Sequence, residues 1–218
     1  MTGSRLREVA RGAAAVSDRP ETEEHCELCG ERLGPRHRHL LNLDNRELMC
    51  TCRACSLLFD RKAAGGGHYR AVPDRRLRIE DFELDPVMWA ELRIPVDMAF
   101  FFSDSVAGRV VAYYPGPMGA TESLLELPAW EALERANPVL GSLEPDVEAL
   151  LVNHSRGAEQ HFIVPIEDCY KLAGLIRMHW RGLTGGQEVW REIDSFYETL
   201  ARDARAATSE RQEATWER

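Results

Sequence analysis

Cys26-Glu27-Leu28-Cys29 and Cys52-Arg53-Ala54-Cys55, separated by 22 residues, set the reading of this chain. A two-residue gap lets a tight turn aim both sulfurs of a pair at one ion. Four thiolates in two such pairs hold tetrahedral zinc, although the separation is just beyond the roughly 15–20 residues usual for a ribbon. Between the pairs, His39-Leu40-Leu41-Asn42-Leu43 and Arg46-Glu47-Leu48-Met49-Cys50 read as two short strands joined at Asp44-Asn45. Turn, hairpin, turn is the plan of a zinc ribbon. One is expected over residues 25–62, with Cys26, Cys29, Cys52 and Cys55 as the metal ligands.

Cys50 precedes Cys52 by two, so Cys50-Thr51-Cys52-Arg53-Ala54-Cys55 offers three thiols for two places. A one-residue gap cannot form the paired turn, so Cys52 and Cys55 are the expected ligands. Residues two apart in a strand face the same way, which would put Cys50 beside the site rather than in it. His25, His37 and His39 are nearby substitutes whose plainer role is that of polar residues on a solvated loop or strand. Iron is the alternative metal, since thiolates bind both. A rubredoxin-like site carries glycines beside each pair. Gly30 follows the first pair here, but Ser56 follows the second and Arg53-Ala54 lacks the expected proline, so the expected ion is Zn2+.

The chain has 218 residues and a formal charge of −9, unevenly placed. Residues 1–75 hold 13 Lys and Arg against 11 Asp and Glu, and residues 76–218 hold 14 against 25. Neither part has the basic balance of a nucleic-acid binder, so that partner is unlikely on charge. No stretch approaches the ~20 apolar residues of a membrane span. Met1 to Val16 lacks the apolar core of a signal peptide. A cytoplasmic location is expected, where paired cysteines hold metal rather than form disulfides.

Composition divides the chain into a disordered polar segment over 1–24, the ribbon over 25–62, and a Gly-rich linker over 63–71. An α+β domain over 72–202 and a charged tail over 203–218 follow. In the larger domain, Arg76 to Phe82, Val96 to Ser103, Gly108 to Tyr114 and Ser123 to Leu127 read as strands. Pro86 to Leu92 and Pro128 to Ala136 read as helices, the second opened by its proline. Val147 to Asn153 and Gln160 to Ile166 read as a hairpin turning at Arg156-Gly157. Asp168 to Trp180 and Gln187 to Arg202 carry apolar residues at helical spacing. The expected fold class is α+β: an N-terminal ribbon, then a mainly antiparallel sheet covered by a C-terminal helical hairpin.

Other residues could carry chemistry. Cys169 sits at the start of a predicted helix, where a thiol pKa can fall, but it is also in phase with Leu172 and Ile176 as a core residue. His154, His161 and His179 lie in the same region. Pro115-Gly116-Pro117-Met118-Gly119-Ala120-Thr121 reads as a loop without the Gly-Lys-Ser/Thr ending of a phosphate loop. No set of residues forms a complete catalytic site.

Several segments resemble a known family: His25-Cys-Glu-Leu-Cys-Gly30, Cys52-Arg-Ala-Cys-Ser-Leu-Leu-Phe59, Asn153-His-Ser-Arg-Gly157, Pro165-Ile-Glu-Asp-Cys-Tyr170 and His179-Trp-Arg-Gly-Leu183. They are similar to an uncharacterised bacterial family, classed as a domain of unknown function and often encoded beside nickel–iron hydrogenases. The resemblance spans about residues 25–200. It implies a role in hydrogenase assembly or maturation through contact with a protein partner, a hydrogenase subunit or maturation factor. It supplies no catalytic residues. Three rival expectations stand beside this one: a rubredoxin-like electron carrier, a nucleic-acid-binding regulator, and a thiol enzyme centred on Cys169.

Overall fold

Asn42 builds the turn of the first hairpin. Its Oδ1 accepts from the Asp44 amide at 2.9 Å, while Asn45 Oδ1 accepts from the Glu47 amide at 3.1 Å. Such side-chain acceptors bend a backbone that the flanking strands keep extended. In the computed structural model, which describes residues 24–60 and 66–210, those strands are β1 (Arg38–Asn42) and β2 (Leu48–Thr51). A third strand, β3 (Tyr69–Ala71), pairs antiparallel with the other edge of β1, giving the order β2-β1-β3. The expected linker over 63–71 therefore contains a strand, and residues 61–65 lie outside the described residues. Helix α1 (Arg53–Phe59) follows Cys52 directly.

Met98-Ala99-Phe100-Phe101-Phe102 is apolar on both faces and forms an interior strand of a second, seven-stranded sheet. All five side chains are buried, each phenylalanine contributing about 1.5–3 kcal/mol of transfer free energy. The strands are β4 (Leu77–Ile79), β5 (Met98–Asp104), β6 (Arg109–Gly116), β7 (Gly119–Ser123), β8 (Glu148–Asn153), β9 (Gln160–Pro165) and β10 (Arg205–Ala207). Their order is β10-β4-β9-β8-β5-β6-β7, antiparallel at every step except β10 with β4. The class is α+β with a large, mostly antiparallel sheet.

Alternation along the strands gives each face its own core. Phe100, Phe102, Leu151, Phe162 and Val164 pack against α4 (Ile166–His179) and α5 (Gly186–Asp203). Phe101, Leu150, Val152 and Ile163 pack on the other face with Trp130 and Leu133 of α3 (Leu127–Ala136). Met88 and Trp89 of α2 (Pro86–Glu91) join that second cluster. The sheet is thus covered on both faces.

Three local readings are corrected. Pro115 to Thr121 is no open loop: β6 runs into it and β7 out of it, with Gly116 paired to Gly119. Gly119 has φ +104°, which a side chain would resist. The strand expected over Ser123 to Leu127 lies earlier, because β7 ends at Ser123 and α3 starts at Leu127. Within the expected charged tail over 203–218, Arg205–Ala207 forms β10, and residues 211–218 lie outside the described residues. The segment expected to be disordered over 1–24 also lies outside them, apart from Glu24.

The small sheet packs on the large one through Leu41, Val72 and Val147, with Leu43 and Leu48 beside them. Arg46 and Arg70 reach the Pro145-Asp146 corner of the larger sheet: Arg70 Nη1 donates to the Pro145 carbonyl at 3.0 Å. Among the described residues, no helix is long and apolar enough to cross a membrane.

Candidate metal centre

The first cysteine pair sits on a turn closed by the Gly30 amide, which donates to the Cys26 carbonyl at 2.7 Å. Gly30 has φ +76°, and the open space around it makes backbone conformation, not crowding, the reason for glycine there. The second pair is held differently. Cys52 is the N-cap of α1, and its Sγ accepts from the Cys55 amide at 3.4 Å. The first helical turn, rather than a free-standing loop, brings Cys55 back over Cys52. The Glu27 amide donates to the Cys50 carbonyl at 2.9 Å, tying the first turn to the end of β2.

The Sγ atoms of Cys26, Cys29, Cys52 and Cys55 all lie within 4.8 Å of one another. Cys29 and Cys52 sulfurs are 3.8 Å apart. A tetrahedron with metal–sulfur bonds of about 2.3 Å has an edge of about 3.8 Å. The four thiols can hold one metal ion.

Their electrostatics favour a cation. Burial raises the Cys26 thiol pKa, but the backbone amides of Cys52, Cys29 and Leu28 outweigh it and bring the value down to about 6. Burial pushes the Cys55 thiol up, and the thiols of Cys29, Cys52 and Cys26 add to that. One thiolate therefore forms readily, while further negative charge in the cluster needs compensation. A metal cation held by the four sulfurs would supply it.

Cys50 stands apart from these four. It is opposite His39 in the β1–β2 ladder and groups instead with His37 and His39. His25 forms an isolated bridge to Arg32 beside the first turn.

The residues beyond the cysteine module are brought together only in part. Cys169 is fully buried among the core of the α4–α5 face, and burial, with Asp168 beside it, drives its pKa well up. It lies in the first turn of α4, which starts two residues before the expected Asp168 and has Pro165 as its N-cap. Asp168 instead accepts from Arg76 Nε at 2.6 Å and from Arg76 Nη2 at 3.0 Å.

His154 and His161 do meet, Nε2 to Nε2 at 3.0 Å. Phe82 stacks on His161 and Trp89 lies against His154. Phe82 and Trp89 belong to the α3 face of the sheet, so this pair and Cys169 are on opposite faces. His179 is elsewhere again, with Nδ1 3.1 Å from Glu188 Oε1 at the end of α4. Cys169 and these three histidines do not assemble into a thiol–imidazole site. Burial, then the His154 charge, holds the His161 pKa at about 4.

An α+β protein with a cluster of four metal-competent thiols is the class that the fold and the site define. The family of unknown function DUF5947 matches residues 25–204, and the chain belongs to that family. No curated protein and no solved structure matches the chain.

Proposed function

We propose that the chain is a zinc-ribbon accessory protein, and that it acts by protein–protein contact in the assembly or maturation of a nickel–iron hydrogenase. The observation that carries the first half is the clustering of Cys26, Cys29, Cys52 and Cys55 within 4.8 Å. Four thiolates close the coordination sphere of zinc and leave no position for substrate, so the ion is structural. Three short strands and a helix of seven residues bury little core of their own. Metal binding then supplies part of the folding free energy of the module. The fully buried Cys169 and its separation from His154 and His161 weigh against the thiol-enzyme reading. The hydrogenase assignment is supported by the family resemblance of the sequence segments.

Deleting the gene in its native cell tests the reading. Hydrogen uptake falls while transcription of the hydrogenase subunits is unchanged. A Cys169→Ala copy restores uptake, and a Cys29→Ser copy does not. Normal uptake in the deletion strain contradicts the hydrogenase role.

A further inference from the structure

The face of the small sheet beside the four-cysteine cluster carries a second group of ligands. His39 and Cys50 are directly opposite in the antiparallel β1–β2 ladder, which puts their side chains on one face. His37, two residues before His39, joins them. One ring nitrogen of each histidine and the Cys50 sulfur lie within 4.8 Å of one another.

Both imidazoles are set up as ligands. His37 Nδ1 lies 3.0 Å from the Gly34 carbonyl, so that nitrogen carries the proton and Nε2 keeps its lone pair. The His37 side chain is only 9% exposed, and its Nε2 is buried without a hydrogen-bond partner. A buried acceptor with nothing to accept from is uncommon in folded proteins and points to a missing partner. His39 Nδ1 faces Glu167 Oε2 at 2.7 Å. That oxygen has no hydrogen-bond partner, so the contact is electrostatic, and a carboxylate on the Nδ1 side leaves Nε2 for the ion. Cys50 is fixed by its own amide, which donates to Glu27 Oε1 at 2.6 Å.

We propose that His37, His39 and Cys50 form a second metal site, which binds a borderline divalent transition ion such as zinc. Two imidazoles and a thiolate suit zinc, cobalt, nickel or copper, and not calcium or magnesium. Three protein ligands leave a coordination position open, unlike the four-cysteine cluster. His37 and His39 line a cavity of about 1050 Å³, with Arg76, Glu167, Asp168 and Lys171 on its walls. With one protein ligand fewer than the four-cysteine cluster, this ion is the more exchangeable of the two, and a fourth ligand completes its coordination. The inference stands on this geometry and does not depend on the hydrogenase role.

Cobalt titration of the full chain, already loaded with one zinc, tests it. A second equivalent of Co2+ binds, giving visible absorption of a four-coordinate ion and a thiolate-to-cobalt band, while the first zinc stays in place. His39→Asn and Cys50→Ser each abolish that second equivalent and keep the first zinc. Because His39→Asn leaves every thiol in place, it reads the site even where Cys50→Ser disturbs the neighbouring cluster. Saturation at one metal per chain overturns the proposal. A second equivalent that survives His39→Asn with unchanged affinity and spectrum overturns it equally.

Discussion

Arg46 Nη1 donates to Asp146 Oδ1 at 2.9 Å, joining the turn of the cysteine-bearing hairpin to a fully buried carboxylate 100 residues away. Both residues have left-handed backbones, with φ +61° at Arg46 and +70° at Asp146. The same carboxylate oxygen accepts from the Ser105 amide at 2.9 Å, and Arg46 also lies over the Phe102 ring. A local turn built by Asn42 is thus coupled to the end of the interior strand β5.

Removing Arg46 leaves a buried carboxylate short of its closest cation. Arg46→Ala is expected to destabilise the chain by about 3 kcal/mol, at the lower end for breaking a buried pair because Arg70 remains nearby. Equilibrium denaturant unfolding measures this. The variant should also release its metal faster to a chelator, since the hairpin that carries Cys50 and leads to Cys52 is no longer anchored. An unchanged unfolding midpoint and release rate would show that the contact holds neither part.

The His154–His161 pair gives the protein a pH dependence with a definite sign. His161 titrates at about 4 in the folded chain against 6.5 when exposed, chiefly because it is buried. Above pH 6.5 the imidazole is neutral in both states and the shift has no effect on stability. As pH falls from 6.5 toward 4, the unfolded chain takes up a proton that the folded chain refuses, so stability falls. The full shift corresponds to about 3 kcal/mol. His161→Gln should flatten the stability profile between pH 6.5 and 4 relative to the unaltered chain. Equal slopes in the two proteins would assign the acid sensitivity to other groups.

Cys169→Ala removes one buried sulfur from the α4–α5 core and should cost about 1 kcal/mol, with metal content unchanged. In the native, metal-loaded chain the thiol should resist alkylation until the fold opens. Rapid labelling at native stability would instead identify an accessible, reactive cysteine.

The strongly patterned parts of the fold are visible in the sequence. The apolar runs of Met98 to Phe102, β8 and β9 and the apolar stripes of α4 and α5 each give a pattern long enough to read. So do the two cysteine pairs, whose spacing alone groups the four sulfurs. The three-residue strands β3 and β10 are too short for any period. β10 lies in a charged stretch because its backbone, not its side chains, makes the pairing with β4. The covering of the second sheet face by α2 and α3 is a tertiary choice that local pattern does not encode. Arg46 with Asp146 and Arg76 with Asp168 look like ordinary surface charges in the sequence, since their partners are about 90–100 residues distant. The grouping of Cys50 with His37 and His39 needed the β1–β2 register, which the hairpin turn sets and the sequence only suggests.

The metal content of single cysteine variants, measured by elemental analysis after washing with a mild chelator, tests the central assignment most directly. The account predicts one retained zinc per chain in the unaltered protein and in Cys50→Ser, and its loss in Cys26→Ser, Cys29→Ser, Cys52→Ser and Cys55→Ser. Retained metal in Cys52→Ser with loss from Cys50→Ser, or iron in place of zinc in the unaltered chain, would contradict it.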